Sequence, residues 1–172
     1  MKKLNLGCGK NRFVTDAITL DINPMTEPDI IHDLNKFPWP FPDNEFDMVY
    51  CMDVLEHLDD LVKIMEEIHR ISKPKAIINI TVQHFSCSNS YTDPTHKHFF
   101  GLFSFDYFTG DNQYGFYTKV RFSKKKINLV FHPTLLNKFI WRLASRFPAF
   151  YERHLTWIFP AWFIGVELEA VK

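Results

Sequence analysis

The chain has only three cysteines, Cys8, Cys51 and Cys87, and no two of them form a Cys-x-x-Cys pair. An odd, scattered set of thiols excludes a disulfide framework and points to a reducing compartment. Charge of one sign is lacking too: 20 Lys and Arg offset 20 Asp and Glu, for a net charge of zero. Without a basic excess there is no global field for nucleic acid, and none is expected as a partner. No apolar run approaches the roughly 18 residues that a membrane helix needs. The most hydrophobic segment, residues 155–166, is short and is broken by Pro160. Met1-Lys2-Lys3 leads into a strand-like run rather than the apolar stretch of a signal peptide, so a cytoplasmic location is expected. Internal repeats, low-complexity tracts and linker-like boundaries are also missing. For 172 residues the expectation is one domain, 1–172.

What is present is an order of strands and turns. Leu4-Asn5-Leu6 runs straight into Gly7-Cys8-Gly9, and two later strand-like runs end near carboxylates, Leu20-Asp21-Ile22 and His32-Asp33-Leu34. Glycines at the first turn let a ligand approach the backbone. A carboxylate at the tip of the next strand suits a ribose diol. One at the third can accept from an adenine edge. Strands are expected at 3–6, 17–20, 29–32, 46–51 and 76–82. The last is apolar nearly throughout, as a strand covered on both faces should be. The Pro-rich stretch 38–44 cannot be helix. Leu61, Met65, Ile68 and Ile71 share one face with Leu58 and Val62, which predicts a helix over 59–72 stopped by Pro74. Alternating strands and helix give an α/β fold: a Rossmann-like, doubly wound, mostly parallel sheet with an antiparallel terminal strand at 163–171. The second half reads as a polar loop over 83–98, then a Phe-rich short helix or lid over 99–108. A strand over 117–131 and a helix over 133–147 follow.

One interval is too short. Only seven residues, Lys10 to Asp16, separate Gly9 from the second strand. A parallel crossover normally needs a dozen or more, so the first crossover helix is reduced. Arg12 stands where a dinucleotide-binding turn wants its third glycine, which weakens a pyrophosphate site. A ligand without phosphates needs no helix N-terminus there.

These features resemble the class I S-adenosylmethionine-dependent methyltransferases, in particular the small type 11 domains. Four patterns carry the resemblance: Leu-Gly-Cys-Gly at 6–9, Leu-Asp-Ile at 20–22, Phe-Pro-Asp-Asn-Glu-Phe-Asp-Met-Val at 41–49, and Asp-Val-Leu-Glu-His-Leu at 53–58. It covers residues 4–82 clearly and the rest by order of elements. It implies S-adenosyl-L-methionine as cofactor, held by the half at about 1–82, with about 83–172 covering the acceptor. It also implies roles: Gly7, Cys8 and Gly9 meet the methionine part, and Asp21 with Ile22 the ribose. Asp33 with Leu34 faces adenine, and Cys51 and Met52 lie beneath the methionine end. Asp53, Glu56 and His57 match an acid-x-x-Glu-His pattern that binds a divalent metal in some quinone-pathway O-methyltransferases. The local alternative is that they cap the helix beginning near Asp59, and no metal is expected.

The polar loop holds His84, Cys87, Asp93, His96 and His98, with a spacing that fits no standard zinc module. A neutral histidine is matched to removing a proton from an acceptor hydroxyl, which makes His96, His98 and His57 the catalytic candidates. Lys138, Arg142 and Arg146 form a basic stripe on the helix at 133–147, beside an aromatic tail. Such a stripe suits an anionic lipid-like acceptor or peripheral membrane contact, or an ordinary solvated face. The expected function is a methyltransferase acting on a small-molecule, sugar or lipid-like acceptor. The alternatives are a non-catalytic cofactor-binding subunit and a nucleotide-dependent oxidoreductase.

Overall fold

The computed structural model describes residues 1–10, 14–110 and 116–172. Arg12, on which the third-glycine argument rests, lies outside them. Seven strands form one sheet: β1 (Lys3–Leu6), β2 (Ile18–Asp21), β3 (Ile30–Ile31), β4 (Phe46–Met52), β5 (Ser72–Gln83), β6 (Arg121–Val130) and β7 (Phe163–Val171). Their order is β3-β2-β1-β4-β5-β7-β6. β1 to β5 are parallel, and β7 runs antiparallel between β5 and β6. The chain moves outward from β1 to β3 and then returns to β4. Ligands in open α/β sheets bind outside the carboxyl ends of the strands at such a reversal. The expected mostly parallel sheet with an antiparallel terminal strand is the one observed. Among the described residues no helix joins β1 to β2, in keeping with the reduced crossover.

Helix α1 (Leu61–Ile71) starts at Asp60, whose side chain accepts from the Lys63 amide at 3.1 Å. It buries Ile64, Met65, Ile68 and Ile71. The short α2 (Asn89–Thr92) lies in the polar loop. Helix α3 (Leu135–Arg146) is capped by the Thr134 hydroxyl, and a turn at Pro148–Phe150 continues it. A single core runs from Leu4 to Ala170 and takes in Ile68 of α1 and Ile140 of α3.

One expectation needs correction. β5 is not covered on both faces. Ala76, Ile78, Ile80 and Val82 are buried, while Ile77, Asn79, Thr81 and Gln83 between them are only partly so. The strand alternates because the helices cover one side of the sheet. The Phe-rich segment takes the short-helix alternative of its expectation. Phe100, Phe105 and Phe108 are in the core, Phe99 and Phe103 are exposed, and Ser104–Phe108 forms a 3-10 turn. Helix α3 seats only part of its apolar face. Ile140 and Ala144 are buried, but Leu135, Leu136, Phe139 and Trp141 stand in solvent.

Candidate functional site

The floor of the site is the turn after β1. Gly7 and Gly9 both adopt positive φ, near +59° and +55°, which L residues rarely hold. A Cβ on Gly7 would sit 2.1 Å from Cγ2 of Val54, so only glycine lets these two segments meet. A Cβ on Gly9 would meet nothing within 4 Å, because it faces a cavity. The Asp21 carboxylate holds this turn from the tip of β2. Oδ2 accepts from the Gly9 amide at 2.9 Å and Oδ1 from the Asn23 amide at 2.9 Å. Each oxygen keeps a lone pair for a ligand.

Two cavities share Gly7. One, of about 280 Å³, is lined by Asp21, Ile22, Asp33, Leu34, Val54 and His57, among others. The other, of about 210 Å³, is lined by Asn5, Cys8, Gly9, Lys10, Met52 and Asp53. The first has an apolar wall with carboxylates at its rim, and the second is bordered by turn backbone. The far wall is built indirectly. Asp33 Oδ1 accepts from the Asn35 amide at 3.0 Å. Asn35 Oδ1 accepts from the Asp59 amide at 2.8 Å, tying the β3 turn to the start of α1. The indole of Trp39 donates to the Leu34 carbonyl at 3.0 Å. Arg70 of α1 donates to the Phe41 and Trp39 carbonyls and to Asp43 and Glu67, so the Pro-rich stretch is clasped from the end of α1.

A third side is the turn at Leu55–His57. Amides of Lys97 and His98 donate to the Glu56 carbonyl at 2.7 and 3.2 Å, which fastens the polar loop to this turn. His57 and His96 thereby meet, with ring centroids 4.7 Å apart. Burial, and then the neighbouring His96 ring, hold His57 below the usual histidine range. Glu56 is 1% exposed, and neither carboxylate oxygen has a hydrogen-bond partner. Burial, with some help from the charge of Asp53, pushes its carboxyl up to about 7.

The expected residues separate into groups. Gly7, Asp21, Ile22, Asp33, Leu34 and His57 line one cavity, and Cys8, Gly9 and Met52 the other. Cys51 does not join them. It is fully buried on the opposite side of β4, and burial pushes its thiol far up. The five-residue loop cluster is also divided. His84 and Cys87 are in the interior, with His84 Nε2 3.9 Å from Glu152, while Asp93 and His96 turn to His57. His98 is not in that group: its ring is 6.4 Å from that of Phe100, and Nε2 is buried without a partner. Sequence reasoning missed Val54, Asn35 and Thr95. Only the Asp-Pro-Thr motif, a turn former at 93–95, hinted at the last.

Residues 4–80 match the family model described as a methyltransferase domain. An uncharacterized protein of Methanocaldococcus jannaschii is 34% identical over 91 residues, a match covering 46% of this chain and 39% of that protein. The matched region thus spans well under half the length of that relative. A solved structure titled a SAM dependent methyltransferase, from Archaeoglobus fulgidus, superposes with TM-score 0.68 at 19% identity, covering 98% of this chain and 85% of that one. The structure of the [4+2]-cyclase SpnF has TM-score 0.63 at 15% identity, covering 99% and 74%. At these identities the likeness is one of fold. The cofactor that the family implies, S-adenosylmethionine, fits the residues present. The opening beside Gly9 would be narrowed by any Cβ, and Asp21 and Asp33 stand at the rim of an apolar cleft. Residues 4–80 thus match the methyltransferase-domain model, and the chain as a whole shares its fold with the structure titled a SAM dependent methyltransferase.

Proposed function

We propose that the protein is an S-adenosylmethionine-dependent methyltransferase whose acceptor is a small molecule, a sugar or a lipid-like compound. The observation that carries this reading is the pair of cavities joined at Gly7, at the reversal of strand order. Asp21 accepts from the ribose hydroxyls, and Asp33 meets the adenine edge against Ile22 and Leu34. Gly9 and Met52 border the methionine end, with Cys8 beside them. The cofactor supplies a methyl group on a positively charged sulfur. The protein's own task is alignment in a water-poor cleft, where positioning contributes several kcal/mol. His57 and His96 stand at the acceptor end and handle the hydroxyl that receives the methyl group. His98, which packs near Phe100 outside the group of His57, Asp93 and His96, is the third candidate. Calorimetry with S-adenosylhomocysteine, followed by a radiolabelled transfer assay against mixed acceptors, tests the reading. Absence of S-adenosylhomocysteine binding by folded protein would remove it. Binding without transfer to any acceptor would favour a cofactor-binding subunit.

A specific observation favours the lipid-like end of this range. Leu135, Phe139 and Trp141 on α3, and Phe150, Trp157 and Ile158 after it, are exposed. They lie close in sequence to Lys138, Arg142 and Arg146. Apolar side chains mixed with cations suit the surface of an anionic bilayer. No helix among the described residues is long and apolar enough to cross one. Co-sedimentation with anionic vesicles at low salt is expected, and should be lost in the triple variant Lys138→Glu, Arg142→Glu, Arg146→Glu. Wild-type protein that stays in the supernatant would restrict the acceptor to soluble molecules.

A further inference from the structure

Among the described residues, one group of His, Cys, Asp and Glu side chains has the spacing of metal ligands: His57, Asp93 and His96. A ligand atom from each lies within 4.8 Å of the other two. His96 Nε2 is 3.9 Å from Asp93 Oδ2. Zinc sits about 2.0–2.2 Å from such atoms, so modest side-chain rotations close the set.

What distinguishes this group is how the remaining polar atoms are used. His96 Nδ1 is 3.1 Å from the Ser90 carbonyl. A carbonyl only accepts, so Nδ1 carries the proton and Nε2 keeps its lone pair. The Thr95 hydroxyl donates its one hydrogen to Asp93 Oδ1 at 2.6 Å, and so accepts from His57 Nδ1 at 2.9 Å. His57 is thereby held in the same tautomer, again with Nε2 free. Asp93 Oδ1 also takes the Thr95 amide at 2.8 Å, which leaves Oδ2 for another partner. Thr95 thus orients two members, and the Ser90 carbonyl orients the third. Ring nitrogens anchored this way, each leaving the other nitrogen outward, are the outer hydrogen bonds that metal-binding histidines use. Glu56 supplies a second observation. It precedes His57, is buried, and neither carboxylate oxygen has a hydrogen-bond partner within range. A cation nearby would offset that unpaired acid.

We propose that His57, His96 and Asp93 form a site for one divalent transition-metal ion of the zinc type, with an open position toward the cavity that His57 lines. Two imidazoles and one carboxylate suit zinc and its neighbours, whereas magnesium and calcium take oxygen ligands. Resting on the methyltransferase reading, the open position takes an oxygen of the acceptor, which narrows the acceptor class to compounds that present a hydroxyl there.

Cobalt(II) is the probe, titrated into protein first stripped with a chelator. Wild-type protein should develop visible d–d absorption bands that saturate near one equivalent. Asp93→Asn, which can still accept from Thr95, and His96→Gln should abolish them. Thr95→Val, with all three ligands intact, should weaken cobalt binding by about 10–100-fold, the usual effect of losing an outer partner. His154→Gln, at an exposed histidine elsewhere, should leave it unchanged. An unchanged circular-dichroism spectrum identifies the variants that are folded. A wild-type protein without such bands, or bands that persist in all three site variants, would overturn the proposal. S-adenosylhomocysteine calorimetry on the same samples separates the two readings. Protein that binds cobalt but no S-adenosylhomocysteine keeps the ion site and loses the methyltransferase reading. Protein that binds S-adenosylhomocysteine but no cobalt does the reverse.

Discussion

The two faces of the central sheet are made differently. One carries Leu4, Leu6, Val49, Ile78, Ile80, Ile164, Val166 and Leu168, all buried. The other carries Met48, Tyr50, Met52, Ile77, Asn79, Thr81, Gly165 and Glu167, none of which is buried. Parallel sheets are usually covered on both sides. Here α1 and α3 contribute to the core on the first face, and among the described residues no helix joins β1 to β2. The lesson is that this fold draws its stability from one face. The site, at the carboxyl ends of the strands, depends on turns rather than on either face.

That division can be broken by experiment. The largest effect is expected on the covered face. Ile80→Ala should lower stability by about 2–5 kcal/mol, the range for large-to-small changes in a core. Urea denaturation measures it, and a loss below that range would mean that the covered face is not the main support. Next comes the site. Asp21→Ala should weaken S-adenosylhomocysteine binding by about 1.5–3 kcal/mol, as for hydrogen bonds to charged groups, or roughly 10–150-fold in Kd. Calorimetry on folded variant reads it, and an unchanged Kd would free Asp21 to serve only the β1 turn.

A third test concerns pH. The ring of His69 on α1 meets the Val171 carbonyl at 2.7 Å and packs edge-on to Phe122, and burial lowers its pKa from the ordinary 6.5. The unfolded chain therefore binds the proton more readily than the folded one. The contribution of His69 is present above 6.5 and is lost as pH falls through the lower folded value. His69→Gln should flatten the dependence of the urea midpoint on pH across that interval. An undiminished slope would assign it to another group. The smallest effect is expected on the open face: Asn79→Ala should change stability by no more than about 0.5 kcal/mol, as for surface positions. A cost comparable to that of Ile80→Ala would show that something covers this face in solution.

Much of the frame was legible in the sequence. Apolar runs located β1, β2, β4 and β7 within a residue or so, and the 3.6-residue period located α1. The turn chemistry of Gly7, Gly9, Asp21 and Asp33 marked residues that line the two cavities sharing Gly7. Parity was harder. A register shift between Phe46 and Met48 reverses which residues of β4 face the core. Cys51 therefore points inward and Met52 outward, a difference that no local pattern announces. Burial of β5 depended on which helices exist elsewhere, and so did the placement of the phenylalanines at 99–108. The meeting of His57 with Asp93 and His96 spans some 36–39 residues and depends on two main-chain hydrogen bonds to Glu56. Backbone contacts of that kind leave no signature in side-chain identity.

Those two bonds have a consequence for how the protein can change over generations. The polar loop is fastened to the Glu56 carbonyl through the amides of Lys97 and His98, and amides are common to every residue except proline. Side chains on the loop can thus be exchanged while its anchorage stays the same. Substitution at loop positions outside the histidine cluster can therefore vary what the loop presents, as a tool holder accepts different bits, without rebuilding the turn that holds it.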